Sequence, residues 1–172
     1  MEGKKIFVRA DLPADREDRK DLVTNGLEAG IVSYILRKGD ESFEDLGKME
    51  DVIYFENGQP VSDDVMFSSI DTPEAQDKVL SMVGKKKTII VETGDWTIIP
   101  LENMIAKFRS AGTRVMAVAS KKEEAELYLT TMEKGVDGIV IDVKDPPMVR
   151  KFGDRLSATG KETLSEVEIV SV

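Results

Sequence analysis

Short, β-branched apolar runs alternate along this chain with charged segments that repeat at the helical period. The runs are apolar almost throughout, as in strands of a parallel sheet that are buried on both faces, and they lack the alternation of a half-exposed strand. They are Lys5 to Val8, Ile31 to Leu36, Val52 to Phe55, Thr88 to Val91, Arg114 to Ala119 and Gly138 to Ile141. We predict a strand at each run.

The charged segments between these strands predict helices, because their apolar residues fall on one side. Pro73 lies in the first turn of one of them, where proline is well tolerated. Gly30, Gly112 and Gly135 each lie between a predicted helix and the next strand, where a left-handed helix end favours glycine. The predicted helices cover residues 15–29, 73–83, 101–111 and 121–134.

Repeated β-α-β order implies parallel strands joined by right-handed crossovers. The spacing allows either a barrel-like or an open, doubly wound sheet. We predict the α/β class with a parallel, barrel-like sheet, of the TIM type or a partial barrel. Segment 59–70 could be a strand with a polar loop. The alternating tail, Glu166 to Val172, predicts an extra C-terminal strand. We therefore expect one domain over residues 1–155, followed by a linker and terminal strand over 156–172 that lead to a further region or a partner.

Composition excludes several kinds of site. The 172 residues include no histidine and no cysteine, which rules out disulfides, Cys- or His-based zinc sites and histidine-dependent nucleophiles. Acid–base chemistry must therefore use Asp, Glu, Lys or Tyr. Asp142 and Asp145 are two carboxylates without further ligands, so we predict no metal site.

Charge and hydropathy bound the partners and the location. The net charge of −9 argues against nucleic-acid binding, because a phosphate backbone requires a basic face. No apolar run approaches the roughly 20 residues of a membrane span, and the start lacks the apolar core of a signal peptide. We expect a cytoplasmic protein without a membrane partner. An unpaired terminal strand would also favour a homo-oligomer.

Candidate site residues follow from the strand ends, because parallel α/β proteins bind ligands beyond the carboxyl ends of their strands. Glu92 and Asp142 directly follow apolar runs, so burial should raise their pKa values and suit them to acid–base work. Arg9, Arg37 and Lys38 lie at the same edge and could hold an anionic group. Every parallel sheet has polar residues at its strand ends, so a purely structural role is the alternative for each.

A nucleotide-binding motif is missing. The two glycines of segment 135–138 precede a strand and do not form G-x-G-x-x-G, so a Rossmann dinucleotide site is not predicted.

Three segments resemble the N-terminal part of the type II, NAD-dependent 3-dehydroquinate synthases. Segment 91–106, VETGDWTIIPLENMIA, matches their strand that ends in an acidic residue and leads to Asp-Trp, Ile-Pro-Leu-Glu-Asn and Ile-Ala. Segment 133–142, EKGVDGIVID, matches their Glu-Lys-Gly-x-Asp-Gly pattern, and segment 8–30 fits their opening strand and helix. The similarity runs through nearly the whole chain in the right order.

The resemblance implies a reaction. Members of this family oxidatively deaminate an amino, keto seven-carbon sugar acid with NAD and close the product to 3-dehydroquinate, in aromatic amino-acid biosynthesis (the shikimate pathway). It therefore implies NAD as cofactor and an anionic small-molecule substrate. Glu92 would be the acid–base residue and Asp142 would orient the substrate or a cationic group. The expected substrate-binding residues are Arg9, Lys38, Asp95, Asn103 and Lys121.

Two departures from the family pattern leave alternatives open. Arg9 and Thr97 stand where lysine is common in the family, and the family carries a further, β-rich C-terminal region. The chain could be a synthase, or its N-terminal half, completed by that region or by a partner chain. It could instead be a non-catalytic relative that binds a small molecule or another subunit. A barrel lyase or aldolase that uses Lys38 or Lys121 as an amine nucleophile is a third possibility, and it requires a buried lysine.

Overall fold

The chain folds into a nearly closed, barrel-shaped sheet with helices on its outside. The computed structural model describes residues 5–82, 84–94, 104, 106–107, 111–121 and 136–154. Its strands are β1 (Lys5–Ala10), β2 (Ser33–Arg37), β3 (Asp51–Glu56), β4 (Gln59–Pro60), β5 (Val65–Ser69), β6 (Thr88–Glu92), β7 (Arg114–Ala119) and β8 (Gly138–Ile141). The α/β class and the barrel-like sheet predicted from the alternating runs are confirmed.

The order of the strands in the sheet is β4-β3-β2-β1-β8-β7-β6-β5. Every paired neighbour is parallel except the short β4, which pairs antiparallel to β3. Strand order therefore follows chain order around the barrel, as repeated right-handed crossovers produce. The two ends of the sheet, β4 and β5, are in contact but share no strand ladder among the described residues. We call this junction between β4 and β5 the seam. Because β4 has only two residues, β3 also lies close to the seam.

Strand residues alternate between two apolar cores. The core inside the barrel is built only from strand residues, namely Phe7, Ile35, Ile53, Phe55, Ile90, Met116, Val118 and Val140. The core outside the barrel joins strand residues such as Val8 and Val91 to helix residues such as Leu22 and Val79. β4 and β5 contain no fully buried residue, and those of β3 belong to the inner core alone. The other strands contribute buried residues to both cores, which explains why they form continuous apolar runs in the sequence.

Each outer helix begins at a side chain that caps it. Helix α1 (Arg16–Glu28) begins after Asp15, whose carboxylate accepts a backbone hydrogen bond of 3.0 Å from the first turn. Helix α2 (Pro73–Ser81) begins after Thr72, whose hydroxyl accepts a similar bond of 3.1 Å. Such caps satisfy backbone donors that the helix leaves unpaired. Gly30 follows α1 with a φ of 85°, the left-handed geometry that the sequence predicted.

Two shorter helical stretches complete the described fold. Residues Glu41–Leu46 form a 3-10 helix. Residues 146–154 are helical and bury Val149 and Phe152 in the outer core, although the sequence reasoning gave no helix there. Within the described residues, no helix is long and apolar enough to cross a membrane.

A polar network lies at the end of the barrel where the parallel strands begin, which we call the floor. Arg114 donates from Nη1 to Asp51 Oδ2 at 2.9 Å and from Nε to Thr88 Oγ1 at 3.1 Å. Lys5 Nζ donates to the same Asp51 oxygen at 3.2 Å. These bonds join β1, β3, β6 and β7 across the barrel, so side chains brace the sheet beside the seam.

Several predictions fall partly or wholly outside the described residues. Residues 104, 106–107 and 111 are helical, in agreement with the helix predicted over 101–111. The helix predicted over 121–134, Gly135, the extra C-terminal strand and the division at residue 155 lie almost entirely outside the described ranges and stay predictions. Segment 59–70 contains two strands, β4 and β5, in place of the single strand considered from the sequence.

Candidate active site

Four ionisable side chains gather at the end of the barrel where the parallel strands finish. Arg9 lies near the end of β1, Glu92 ends β6, and Asp142 directly follows β8; Asp11 completes the group, which we call the mouth. Their positions follow from the strand period of two: Phe7, Ile90 and Val140, two residues earlier, belong to the inner core, so Arg9, Glu92 and Asp142 also point into the barrel. The pairing of β1 with β8 places Arg9 beside Asp142.

Arg9 is the most tightly held of these residues. Its side chain is 5% exposed, and Nε donates to Asp11 Oδ1 at 2.9 Å while Nη2 donates to the carbonyl of Gly58 at 3.3 Å. The guanidinium also lies 5.2 Å from the ring centroid of Phe55 and 4.6 Å from that of Phe67. Because Phe55 is on β3 and Phe67 on β5, Arg9 fastens the seam at the mouth through hydrogen bonds and cation–π contacts.

The Glu92 carboxyl has a pKa above its usual range. Burial raises its pKa, and the negative charges of Asp142 and Asp71 raise it further, while the positive charge of Arg9 opposes this without cancelling it. A carboxyl group whose pKa is raised holds a proton nearer to neutral pH, which is what general acid–base catalysis requires.

The Asp142 carboxyl has a raised pKa as well. Burial is the main cause, with a contribution from the charge of Asp11, and the positive charges of Arg9 and Lys144 act in the opposite direction. When Asp142 is ionised, its charge favours the protonated form of Glu92. Two neighbouring carboxyl groups can then divide the work, one as an ion and one as a proton carrier.

A cavity of about 370 Å³ opens at the mouth between β1 and β8. Arg9, Asp142 and Lys144 give it a charged side, and Leu12 and Pro13 are among its apolar lining residues. A volume of this size suits a small metabolite. The mixed lining can take an ammonium group at Asp142 and a carboxylate at Lys144.

Two arginines hold the β1–α1 loop that walls this cavity. Arg37 donates to the carbonyls of Asp11 at 3.0 Å and Pro13 at 3.1 Å. Arg19 donates to the carbonyls of Pro13 and Ala14 at 2.9 Å each. It also forms a buried ion pair with Asp40 at 2.7 Å. The structure therefore gives Arg37, which the sequence suggested as an anion-binding group, a clear role in fixing the loop.

The structure brings some of the predicted site residues together and leaves others apart. Arg9, Glu92 and Asp142 meet at the mouth. Lys38 and Lys121 follow β2 and β7 and are exposed, and neither lines the cavity. Asp95 and Asn103 lie outside the described residues. The catalytic and binding roles of all seven stay predictions. The exposure of the two lysines does not meet the requirement of the amine-nucleophile alternative for a buried lysine.

Three contributors to the mouth were not recognised from the sequence. Phe67 lies in segment 59–70, whose sequence shows no clear strand or helix period, so its position on β5 was not predicted. Asn57-Gly58 is a strong two-residue hairpin signal, and both residues have positive φ, 55° and 78°. It would have predicted the turn between β3 and β4, from which the Gly58 carbonyl accepts a hydrogen bond from Arg9. Lys144 belongs to no motif. It lines the cavity because it lies in the segment between β8 and the helical residues 146–154, and that helix was not predicted.

The mouth does not fit the pyrophosphate of a dinucleotide such as NAD. Three of the four ionisable groups at the mouth are carboxyl groups, which would repel a pyrophosphate when ionised. The fourth group, Arg9, is already bonded to Asp11. The N–H of Gly94, just after β6, donates to an Asp71 oxygen at 3.0 Å and is not free for a phosphate. Among the described residues, no glycine-rich turn opens a helix in the way that a phosphate cradle requires.

Metal binding is not indicated either. Over the described ranges, no group of three or more Asp or Glu side chains is placed to hold a metal ion. Asp142 and Asp145 therefore do not belong to such a group in that part of the chain.

The fold and the mouth together define a mostly parallel α/β barrel that gathers its buried ionisable groups at the carboxyl ends of the strands. A model of the 3-dehydroquinate synthase II N-terminal domain family matches residues 3–156. The chain therefore belongs to this family. The resemblance identified from the segments around Glu92 and Asp142 is confirmed.

Curated relatives agree with this assignment. A protein named 3-dehydroquinate synthase from Methanocorpusculum labreanum is 32% identical over 152 residues, which are 86% of this chain and 43% of the relative. A protein of the same name from Methanoculleus marisnigri is 33% identical over 83% of this chain and 41% of its own length. A 3-dehydroquinate synthase homolog from Aquifex aeolicus is 34% identical over 90% of this chain and 44% of its own length. The chain thus spans less than half the length of these relatives.

Proposed function

We propose that this chain provides the acid–base centre of a 3-dehydroquinate synthase II-like enzyme. The reaction is the oxidative deamination of an amino, keto seven-carbon sugar acid and its closure to 3-dehydroquinate, in aromatic amino-acid biosynthesis. One observation carries the proposal: Glu92 and Asp142, two carboxyl groups with raised pKa values, face the same buried arginine at the mouth. The names of the relatives support the choice of reaction.

The reaction needs a base at two stages. A proton must leave the amino group as the carbon that bears it is oxidised to an imine, and water must then hydrolyse the imine to a ketone with release of ammonia. A further proton must leave the carbon beside that ketone to form the enolate that closes the ring. Glu92 can accept these protons, because its raised pKa lets it take up a proton and return it near neutral pH. Asp142, as an ion, offsets the positive charge of the ammonium group and then of the imine.

The cavity walls can orient the substrate. Lys144 lines the same cavity as Asp142, so it could pair with the carboxylate of a sugar acid while Asp142 binds the ammonium group. Leu12 and Pro13 reduce the access of water to the same space. Glu92 does not itself line the cavity, so the proposal requires a substrate held by Asp142 and Lys144 to extend from the cavity to the Glu92 carboxyl at the mouth. Holding the substrate there would supply the entropic contribution of a positioned base.

NAD is the proposed cofactor, and it would accept the hydride. Its phosphates do not fit the described part of the mouth. We therefore propose that NAD is bound elsewhere: by residues outside the described ranges, by a C-terminal region like that of the longer relatives, or by a partner chain. Every step assigned above to this chain is a proton transfer or a contact with the substrate.

The alternative is a non-catalytic relative that binds a small molecule or another subunit. Arg9 favours it, because an arginine clamped between two aromatic rings cannot act as an amine nucleophile. The alternative predicts binding of the amino sugar acid without formation of NADH. Homo-oligomerisation stays a separate prediction under either function, and light scattering after size exclusion tests it.

Replacement of Glu92 tests the proposed function. We expect Glu92→Gln to lower kcat by about 10²–10⁴-fold, the usual contribution of a general base, because the amide retains the size of the side chain but cannot take up a proton. NADH absorbance measures the rate with substrate and NAD, and urea unfolding checks that the fold is intact. Glu50→Gln is the matched control, because Glu50 is an exposed glutamate at the other end of the barrel, before β3.

Calorimetric titration separates the possible outcomes. Binding of substrate and NAD together with loss of turnover in Glu92→Gln supports the proposal. Substrate binding without NADH formation, even when the wild-type chain is supplied with the C-terminal region of a longer relative, supports the non-catalytic alternative. An equal rate in Glu92→Gln and the wild type would remove Glu92 from the chemistry.

A further inference from the structure

Asp71 lies beside the end of the strand that carries Glu92. It follows β5, and β5 pairs with β6 so that Ser69 is opposite Glu92. The N–H of Ile70 continues this pairing by donating to the carbonyl of Glu92 at 2.9 Å. The chain that leaves β5 is therefore bonded to Glu92 through the backbone, one residue before Asp71.

The carboxylate of Asp71 binds the two residues that follow Glu92. It accepts hydrogen bonds from the Thr93 hydroxyl and, at 3.0 Å, from the N–H of Gly94. A third bond of 2.8 Å comes from Ser69 Oγ on its own side. Hydrogen bonds from Thr93, Gly94 and Ser69, in that order, hold the pKa of Asp71 below its usual range. Asp71 is thus an anion that ties together the ends of β5 and β6.

Asp71 does not cap helix α2, although aspartate is a common N-cap residue before a helix. Thr72 alone is the N-cap, because its hydroxyl accepts the N–H of Ala75. The carboxylate of Asp71 faces the turn after Glu92 instead, so the capping of α2 does not account for it.

We infer that Asp71 is a positioning residue for Glu92, which fixes the turn after β6 and maintains a negative charge beside the Glu92 carboxyl group. The inference rests on the acid–base role proposed for Glu92. Among the described residues, the charged groups that act on Glu92 are Arg9 from β1, Asp142 after β8 and Asp71 after β5. Asp71 is bonded to Thr93 and Gly94, the two residues that follow Glu92. Its charge therefore acts on Glu92 from the end of β5, whereas those of Arg9 and Asp142 act from the ends of β1 and β8.

Two replacements separate the charge of Asp71 from its hydrogen bonds. Asp71→Asn removes the charge and retains an oxygen that can accept the N–H of Gly94. Asp71→Ala removes both. In each variant the pKa of Glu92 should fall, because a neighbouring negative charge that raises it has been removed. Asp64→Asn is the matched control, since Asp64 is an exposed aspartate that precedes β5 at the opposite end of the barrel.

Carbon-13 NMR measures the titration of the Glu92 carboxyl directly, and its signal is the one that disappears in Glu92→Gln. We expect the midpoint to move to lower pH in both Asp71 variants and to stay in place in Asp64→Asn. In the pH profile of kcat, the acidic limb should move to lower pH in both variants. The plateau should fall about tenfold in Asp71→Ala, equivalent to about 1.4 kcal/mol of barrier, and by less than about threefold in Asp71→Asn.

The NMR titration needs no turnover, so it tests Asp71 independently of the proposed function. If Glu92 titrates at the same pH in both Asp71 variants as in the wild type, the inference is wrong even if Glu92→Gln abolishes activity. If the titration moves as expected but Glu92→Gln retains full activity, the coupling of Asp71 to Glu92 stands and the proposed acid–base role does not. An equal shift in Asp64→Asn would also overturn the inference, because it would show a general effect of charge.

Discussion

Arg9 meets structural demands that a lysine cannot meet. Its guanidinium stacks over Phe55 and Phe67 and at the same time donates to Asp11 and to the carbonyl of Gly58. A planar group with five donors can satisfy ring faces and acceptors together, whereas an ammonium group is compact and strongly hydrated. The departure from the family lysine at this position is therefore matched by a set of contacts that suits arginine.

Arg9→Lys should lower the free energy of unfolding by about 1–3 kcal/mol, because cation–π contacts and a buried hydrogen bond to a charged group are weakened. Urea unfolding measures the change. Arg16→Lys is the control: Arg16 also lies over a ring, Phe43, at 4.8 Å, but its side chain is 52% exposed, so we expect a change of less than about 1 kcal/mol. Equal losses in the two variants would mean that the buried position of Arg9 at the seam adds no stability beyond that of an exposed arginine over a ring.

Residue positions were predictable where they depend on the strand period alone. Arg9, Glu92 and Asp142 each follow an apolar run, and the ends of parallel strands meet at one edge, so sequence was enough to bring them together. The partners of Arg9 depend on which strands become neighbours when the sheet curves. Phe67 comes from β5, and nothing in the local sequence states that β5 will lie across the seam from β3.

The packing of α1 against Tyr34 of β2 depends on a glycine in the last turn of the helix. A Cβ atom on Gly26 would lie 2.6 Å from the hydroxyl oxygen of Tyr34. Tyr34 is fully buried and donates to the carbonyl of Ile31 at 2.8 Å, and burial raises the pKa of its hydroxyl. Gly26 is thus retained for close approach, at a cost in helix propensity of about 1 kcal/mol relative to alanine.

Gly26→Ala should destabilise the protein by about 1–3 kcal/mol, because crowding of Tyr34 outweighs the gain in helix propensity. Thermal and urea unfolding measure the change. A double-mutant cycle with Tyr34→Phe isolates the contact, and we expect the two changes together to cost at least about 1 kcal/mol less than the sum of the single changes. Additive losses would show that the clash is with some other group.

Elements were predictable to the extent that their sequence carries a period. The six apolar runs all became strands, and helices 15–29 and 73–83 were found with a difference of one or two residues at their ends. The two-residue strand β4 is too short to show any period. Residues 146–154 bury only Val149 and Phe152 in the outer core, so their helical pattern was too weak to stand out.

Side chains at both ends of the barrel support the seam, and acid acts on these ends in opposite directions. At the mouth, burial first of all raises the pKa values of Glu92 and Asp142. Each contributes stability at low pH that is lost as the pH rises through its raised value. At the floor, burial raises the pKa of Asp51, but hydrogen bonds and charges from Arg114 and Lys5 outweigh it and hold the pKa below its usual range. Its contribution is present above the unfolded-state pKa and is lost as the pH falls.

Asp51→Asn tests whether the floor network braces the whole barrel. At neutral pH we expect a loss of about 1–3 kcal/mol in the free energy of unfolding, the usual range for hydrogen bonds to a charged group. The difference from the wild type should shrink as the pH falls below about 4, the pKa of an unperturbed aspartate, because the wild-type Asp51 then also loses its charge. Asp64→Asn should cost less than about 1 kcal/mol, since the pair of Asp64 with Lys87 is exposed and 3.7 Å long. If the wild type and Asp51→Asn differ by the same amount at every pH, the charge of Asp51 is not what joins β3 to β1 and β7, and the seam depends on the mouth alone.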